Sequence, residues 1–76
     1  MDNNTLSALK IDDSAKIKEL RSAGSIRRRL QDIGLIEGTD VKCVLKSPGG
    51  DPAAFLIRGT VIAIRREDMD NILVYS

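Results

Sequence analysis

Apolar residues change their spacing near the middle of this chain, and the change marks its elements. In SIRRRLQDIGLIEGTD, from Ser25 to Asp40, Ile26, Leu30 and Ile33 recur at helical spacing. Ser25 stands at the N-cap position and Gly34 where a left-handed residue closes a helix, which predicts one short helix over 26–33. Leu35 follows the glycine, and in a Schellman ending that residue packs back on Leu30. After Gly38 the period falls from 3.6 to 2, as Val41, Cys43 and Leu45 begin a strand with all three on one face.

Elsewhere the apolar positions alternate in short bursts between turn residues. The pattern predicts strands over 5–9, Ser14–Leu20, 41–46, 53–58, 60–65 and Ile72–Tyr75, with a helical turn near 67–71. In the second strand Ala15 and Ile17 take one face, Lys16 and Lys18 the other. Ser47-Pro48-Gly49-Gly50-Asp51-Pro52 is a dense run of turn formers joining two strands. There Gly50 supplies a positive φ, Asp51 bonds a nearby backbone N–H, and Pro52 fixes the start of the next strand. Gly59 signals a bulge or a sharp bend. The fold class is mainly β. So many short strands in so short a chain fit a small SH3-like β-barrel, closed or nearly so, because closure removes exposed edges. The helix would plug one open end with Ile26, Leu30 and Ile33 inward, over a core of Ile17, Val41, Cys43, Phe55, Ile57, Val61, Ala63, Ile72 and Val74.

The 76 residues make one domain, 1–76. A chain of this size buries only roughly 60% of its unfolded surface, which leaves little room for a deep substrate cavity. Twelve Lys and Arg against eleven Asp and Glu give a net charge of +1, so no global field favours nucleic acid or an anionic bilayer. The single cysteine, Cys43, cannot form an internal disulfide, which favours a reducing compartment. Met1-Asp2-Asn3-Asn4-Thr5 has no basic or apolar leader character, and no apolar run approaches the ~18 residues of a membrane span. The expected location is therefore cytoplasmic.

The search for chemistry narrows the function further. The chain has no histidine, which removes the usual proton carrier near neutral pH and every Cys/His or Ser/His nucleophile arrangement. It reads as a non-enzyme with no cofactor and no metal-ligand set. Asp12-Asp13 and Glu67-Asp68-Asp70 are the only acidic clusters, and neither matches a calcium loop. Gly49-Gly50-Asp51 is not a phosphate loop, since it lacks the Lys-Ser/Thr ending and leads into a strand. Cys43, mid-strand, reads as a small buried hydrophobe. Arg27-Arg28-Arg29 is harder to set aside. In the first turn of a helix starting at 26 these cations oppose the helix dipole, and they line a rim of the helix as a solvated face or as a contact for an acidic partner. Single-stranded nucleic acid would call for stacking aromatics, and only Phe55 and Tyr75 exist.

Taken together, these segments resemble the bacterial ferrous iron transport protein A family, the FeoA proteins, small cytosolic proteins with an SH3-like fold. The resemblance runs from about Leu6 to Val74. It rests on Arg28-Arg29-Leu30 with Ile33-Gly34-Leu35, on Glu37-Gly38-Thr39-Asp40-Val41, on the Ser47 to Pro52 turn, and on Ile62-Ala63-Ile64-Arg65-Arg66 with Ile72-Leu73-Val74. One departure is visible: Ile11-Asp12-Asp13-Ser14 stands where the resemblance leads one to expect a glycine turn.

The resemblance implies an accessory protein for FeoB, the membrane ferrous iron transporter with a cytosolic GTP-binding portion. Such a protein would act by contact, with no nucleic acid and no membrane insertion. Arg27, Arg28 and Arg29 would anchor the partner electrostatically, and Pro48, Gly49, Gly50, Asp51 and Pro52 would form a second contact. Two other readings stay open. The same module resembles the C-terminal domain of metal-dependent repressors of the diphtheria-toxin-repressor type, although this chain has no helix-turn-helix. An Fe(II) chaperone or sensor using carboxylates and Cys43 is the other.

Overall fold

The computed structural model describes residues 4–75, so the leader reading at Met1-Asp2-Asn3 lies outside the described residues. Six strands form one antiparallel sheet in the order β1-β6-β2-β3-β4-β5. They are β1 (Asn4–Thr5), β2 (Ser14–Leu20), β3 (Asp40–Lys46), β4 (Ala53–Ile57), β5 (Thr60–Ile64) and β6 (Ile72–Tyr75), with helices α1 (Gly24–Asp32) and α2 (Arg66–Met69). The sheet does not close, since β1 and β5 remain edges among the described residues. Yet Leu6, just after β1, and Ile64 of β5 belong to one buried cluster, so the sheet must curve around a shared core. The result is barrel-like and mainly β, as the strand spacing predicted, but open along one seam.

The core is apolar throughout. Phe55, Leu6, Ile17, Leu35, Ile57, Met69, Ile72, Val41 and Cys43 are almost wholly buried, and no charged or polar side chain joins them. Cys43 therefore behaves as the small hydrophobe expected of it. The helical turn near 67–71 is present as α2, which buries Met69.

Several sequence expectations need correction, each for a local reason. The predicted strand over 5–9 is only β1, after which the chain enters a 3-10 turn at Leu6–Ala8. Leu45 does not share the inner face with Val41 and Cys43. A bulge between Cys43 and Leu45 shifts the register and turns Leu45 outward, 61% exposed. Val61 and Ala63 also point outward, while Ile62 and Ile64 face in. The cause is the two-residue turn at Arg58 and Gly59, with φ of 52° and 83°, which sets Ile57 opposite Thr60. Directly opposed residues share a face, so the inward parity switches across that turn. Gly59 thus marks a tight bend between the strands and not a bulge. A second bulge, between Ile17 and Glu19, lets both Ile17 and Leu20 reach the core.

In α1 the two ends differ from their predictions in opposite ways. The C-terminal end is as expected: Gly34 N–H donates to the Gln31 carbonyl at 3.0 Å and Leu35 N–H to the Leu30 carbonyl at 3.0 Å, the paired bonds of a Schellman ending. Leu30 and Leu35 are both buried. Gly34 has a φ of 109°, and a Cβ there would lie 3.1 Å from Arg58 Cδ and 3.3 Å from Ile57 Cγ2. The backbone favours glycine here, and any side chain would crowd Arg58 and Ile57. At the other end the helix starts at Gly24, after an Ala23 that provides no side-chain cap, so Ser25 lies inside the helix. Ile26 is 47% exposed, because the core reaches only the last turn of this nine-residue helix.

The first loop explains the departure from a glycine turn. Asp12 has a φ of 76°, the left-handed conformation a glycine would take there. Its N–H donates to the Cys43 carbonyl at 2.6 Å, and the Cys43 N–H donates to the Asp13 carbonyl at 2.9 Å. Asp13 Oδ2 accepts from the Lys10 N–H at 3.1 Å. Aspartate tolerates this conformation better than most residues.

Candidate functional site

Because α1 begins two residues earlier than predicted, Arg27, Arg28 and Arg29 do not all crowd the positive end of its dipole. Arg29 lies in the last turn, where a cation is favoured. All three are exposed, and they part company around the helix. Arg27 leans toward β2, where its guanidinium donates to the Leu20 carbonyl at 2.7 Å. It borders an open polar groove of about 460 Å³ between the end of β2 and α1, together with Lys18, Glu19, Gln31 and Glu37. Arg29 faces the other way, toward β5 and α2, beside Ile62, Arg65 and Asp68. Neither Arg28 nor Arg29 forms an ion pair with a described residue; among those residues Lys16 pairs with Asp40 and Arg21 with Glu19.

The loop between β3 and β4 is built as its turn formers suggest. Pro48–Gly50 is a 3-10 turn, closed by Gly50 N–H donating to the Ser47 carbonyl at 2.7 Å and Ser47 N–H to the Pro52 carbonyl at 3.1 Å. Gly50 has the positive φ expected of it. Asp51 does accept a backbone N–H, but from a distant residue: Arg66 N–H donates to Asp51 Oδ1 at 3.0 Å. The Arg66 side chain also donates to the Gly49 carbonyl at 3.2 Å. A Cβ on Gly50 would meet that guanidinium at 3.0 Å. Arg66 is therefore the clamp of this loop, and sequence reasoning missed it. The only signal was its place in the Arg65-Arg66 pair, and nothing local to that pair reveals a partner 17 residues away.

The fold thus draws the candidate residues into partial company. Arg65 lies beside Arg29 in one hollow and beside Asp51 in the next, so it links the helix rim to the loop. Arg27 sits on the opposite side of the helix, away from the loop. The surface is irregular and mixed in charge, with Arg29, Arg65 and Arg66 set among Asp51, Glu67, Asp68 and Asp70. It can offer guanidinium donors and loop backbone to an acidic protein surface. Among the described residues no three Cys, Asp or Glu side chains gather as a metal site. No helix of the structure is long and apolar enough to cross a membrane.

The profile of the FeoA domain family matches residues 4–76. The chain belongs to the FeoA domain family. Among solved structures, a FeoA protein from Chlorobium tepidum is similar at 33% identity and a TM-score of 0.89, over 95% of this chain and 69% of that one. A FeoA from Stenotrophomonas maltophilia, solved in complex with zinc and described as a procaryotic SH3 domain protein, shows 30% identity over 95% of this chain and 89% of that one, with a TM-score of 0.85. The FeoA domain here therefore has an SH3-like fold, as the strand spacing and the family resemblance implied. A manganese-dependent transcriptional repressor shares that fold, with a TM-score of 0.83 over 96% of this chain and 41% of the repressor. At 15% identity this likeness concerns the fold alone. No curated protein matches the chain's sequence. The family is associated with ferrous iron transport.

Proposed function

We propose that this FeoA domain is a non-enzymatic, cytoplasmic accessory protein of bacterial ferrous iron uptake, acting by contact with the cytosolic part of the FeoB transporter. Membership of the FeoA family over residues 4–76 carries the reading. Its lone thiol supports contact over carriage of the metal, since Cys43 is wholly buried among apolar side chains and offers no ligand at the surface. Arg28 and Arg29 are the electrostatic anchors, with Arg27 adding the donors left after its bond to Leu20. The loop of Pro48, Gly49, Gly50, Asp51 and Pro52, held by Arg66, forms the second contact.

The test is the affinity for FeoB's purified cytosolic portion across a salt series, for the native protein and for Arg28→Glu. Reversing one interfacial charge is expected to weaken binding about tenfold at low salt, with the difference shrinking as salt rises. An affinity that Arg28→Glu leaves unchanged at every salt concentration removes the arginine run from the interface.

A further inference from the structure

The two edges of the sheet are finished differently. β1 is two residues long, and the chain turns away at once into a 3-10 turn. β5 runs for five residues, Thr-Val-Ile-Ala-Ile, with no charge and no proline, and it pairs with β4 in unbroken register. Charges, prolines and bulges are the usual guards against addition of another strand, and β5 lacks all three. The tight turn at Arg58 and Gly59 makes Ile57 and Thr60 a hydrogen-bonded pair, so bonding to β4 passes through Thr60, Ile62 and Ile64. The N–H and C=O groups of Val61 and Ala63 point out from the sheet, and no strand other than β4 lies beside them among the described residues.

Both sides of that edge are apolar. On the outer face Val61 is 59% exposed, opposite an exposed Leu56, and an exposed Ala63 stands opposite Ala54. On the inner face an open groove of about 280 Å³ runs between β5 and α1, where Leu30 and Ile33 line it. Cations stand around it: Arg65 at one end and Arg29 across the groove, against the single acid Asp68, with an exposed Arg58 in the turn at the other end.

We propose that the β5 edge binds an extended peptide segment of a partner protein, with an apolar centre and acidic flanks, as an added strand. Main-chain bonds to Val61 and Ala63 supply the pairing, and the arginines at either end select the flanks. A second copy of this chain fits less well. Two-fold pairing about Ile62 would bring Arg58 of one protomer against Arg65 and Arg66 of its partner, and like charges in register oppose pairing. This inference goes beyond the FeoB reading and concerns an adjoining surface: Arg29 borders both, whereas Arg28 does not line the groove.

The experiment is an NMR titration of the isotope-labelled protein with the end-blocked peptide Glu-Glu-Val-Thr-Val-Thr-Val-Glu-Glu, with the same centre flanked by lysines as control. Saturable shifts are expected in β5 and the facing side of α1, with exchange of the Val61 and Ala63 amides slowed about tenfold or more at saturation. Ala63→Pro removes an outward N–H, leaves every bond to β4 in place, and should weaken binding at least about tenfold. Arg65→Glu, a surface change that leaves the edge intact, should reverse the preference toward the lysine-flanked peptide. Arg28→Glu should bind the peptide within about twofold of the native protein, which separates this result from the FeoB test. The proposal is overturned by absence of saturation, by shifts elsewhere on the surface, by equal binding of the two peptides, or by an unaltered Ala63→Pro. Protection of Val61 and Ala63 that rises with protein concentration, without peptide, overturns it in favour of a second copy.

Discussion

The two ends of α1 are built for different work. The last turn is closed by two backbone bonds, leads from buried Leu30 to buried Leu35, and abuts Arg58 and Ile57 so closely that a Cβ at Gly34 would crowd both. The first turn has no side-chain cap, exposes Ile26 and leads into three exposed arginines. One end secures the helix to the core and the other stays exposed. The contrast teaches that the apolar stripe of a short helix need not be buried along its whole length: the core decides where it ends.

The contrast should appear most strongly in paired truncations of the stripe. Leu30→Ala is expected to lower stability by about 2–5 kcal/mol in urea unfolding, while Ile26→Ala should stay within about 0.5 kcal/mol of the native protein. Equal losses at the two sites would mean that the whole stripe is packed. Gly34→Ala comes next, at about 1–3 kcal/mol, because the substitution meets both an unfavourable backbone region and the side chains of Arg58 and Ile57. At the exposed end Arg28→Glu should change thermal stability by no more than about 0.5 kcal/mol, since the residue lies mid-helix and bonds to nothing described. A larger loss would make Arg28 part of the fold.

The smallest effect lies just beyond the buried end, where Tyr75 Oη donates to Glu37 Oε2 at 3.1 Å. That bond, with some desolvation and the negative charges of Glu37 and Glu19, raises the phenol above its usual 10.0. A raised folded-state value means that the contribution is fully present below about pH 10 and is lost as pH rises through the folded pKa. Tyr75 is the only tyrosine and there is no tryptophan, so ultraviolet titration reads it directly. The midpoint should lie above 10.0 and move down toward it in Glu37→Gln. An unmoved midpoint would show that the bond does not persist in solution.

How much of this was legible in the sequence depended on distance along the chain. The helix ending was written in adjacent residues, Leu30 through Leu35, and the glycine loop likewise announced its own turn. The inward faces of β3 and β5 were not legible by parity, because a bulge after Cys43 and the tight turn at Arg58 and Gly59 each reset the alternation. Ser25 looked like a cap because apolar spacing marks a helix's face better than its first residue. Of the candidate site, the exposure of Arg27, Arg28 and Arg29 could be anticipated from the helical wheel. Their division between two sides of α1, and the clamping of the Gly49 to Asp51 loop by Arg66, depend on tertiary contacts that no local pattern encodes.

The most direct test of the proposal that the exposed arginines, and not the buried Schellman ending, meet FeoB is an NMR titration of the labelled FeoA domain with FeoB's cytosolic portion, with and without a GTP analogue. The account predicts saturable amide shifts at Arg28, Arg29 and the Pro48 to Pro52 loop, with Leu30, Gly34 and Leu35 unmoved. Shifts centred on the buried end, or none at saturating FeoB, would contradict it.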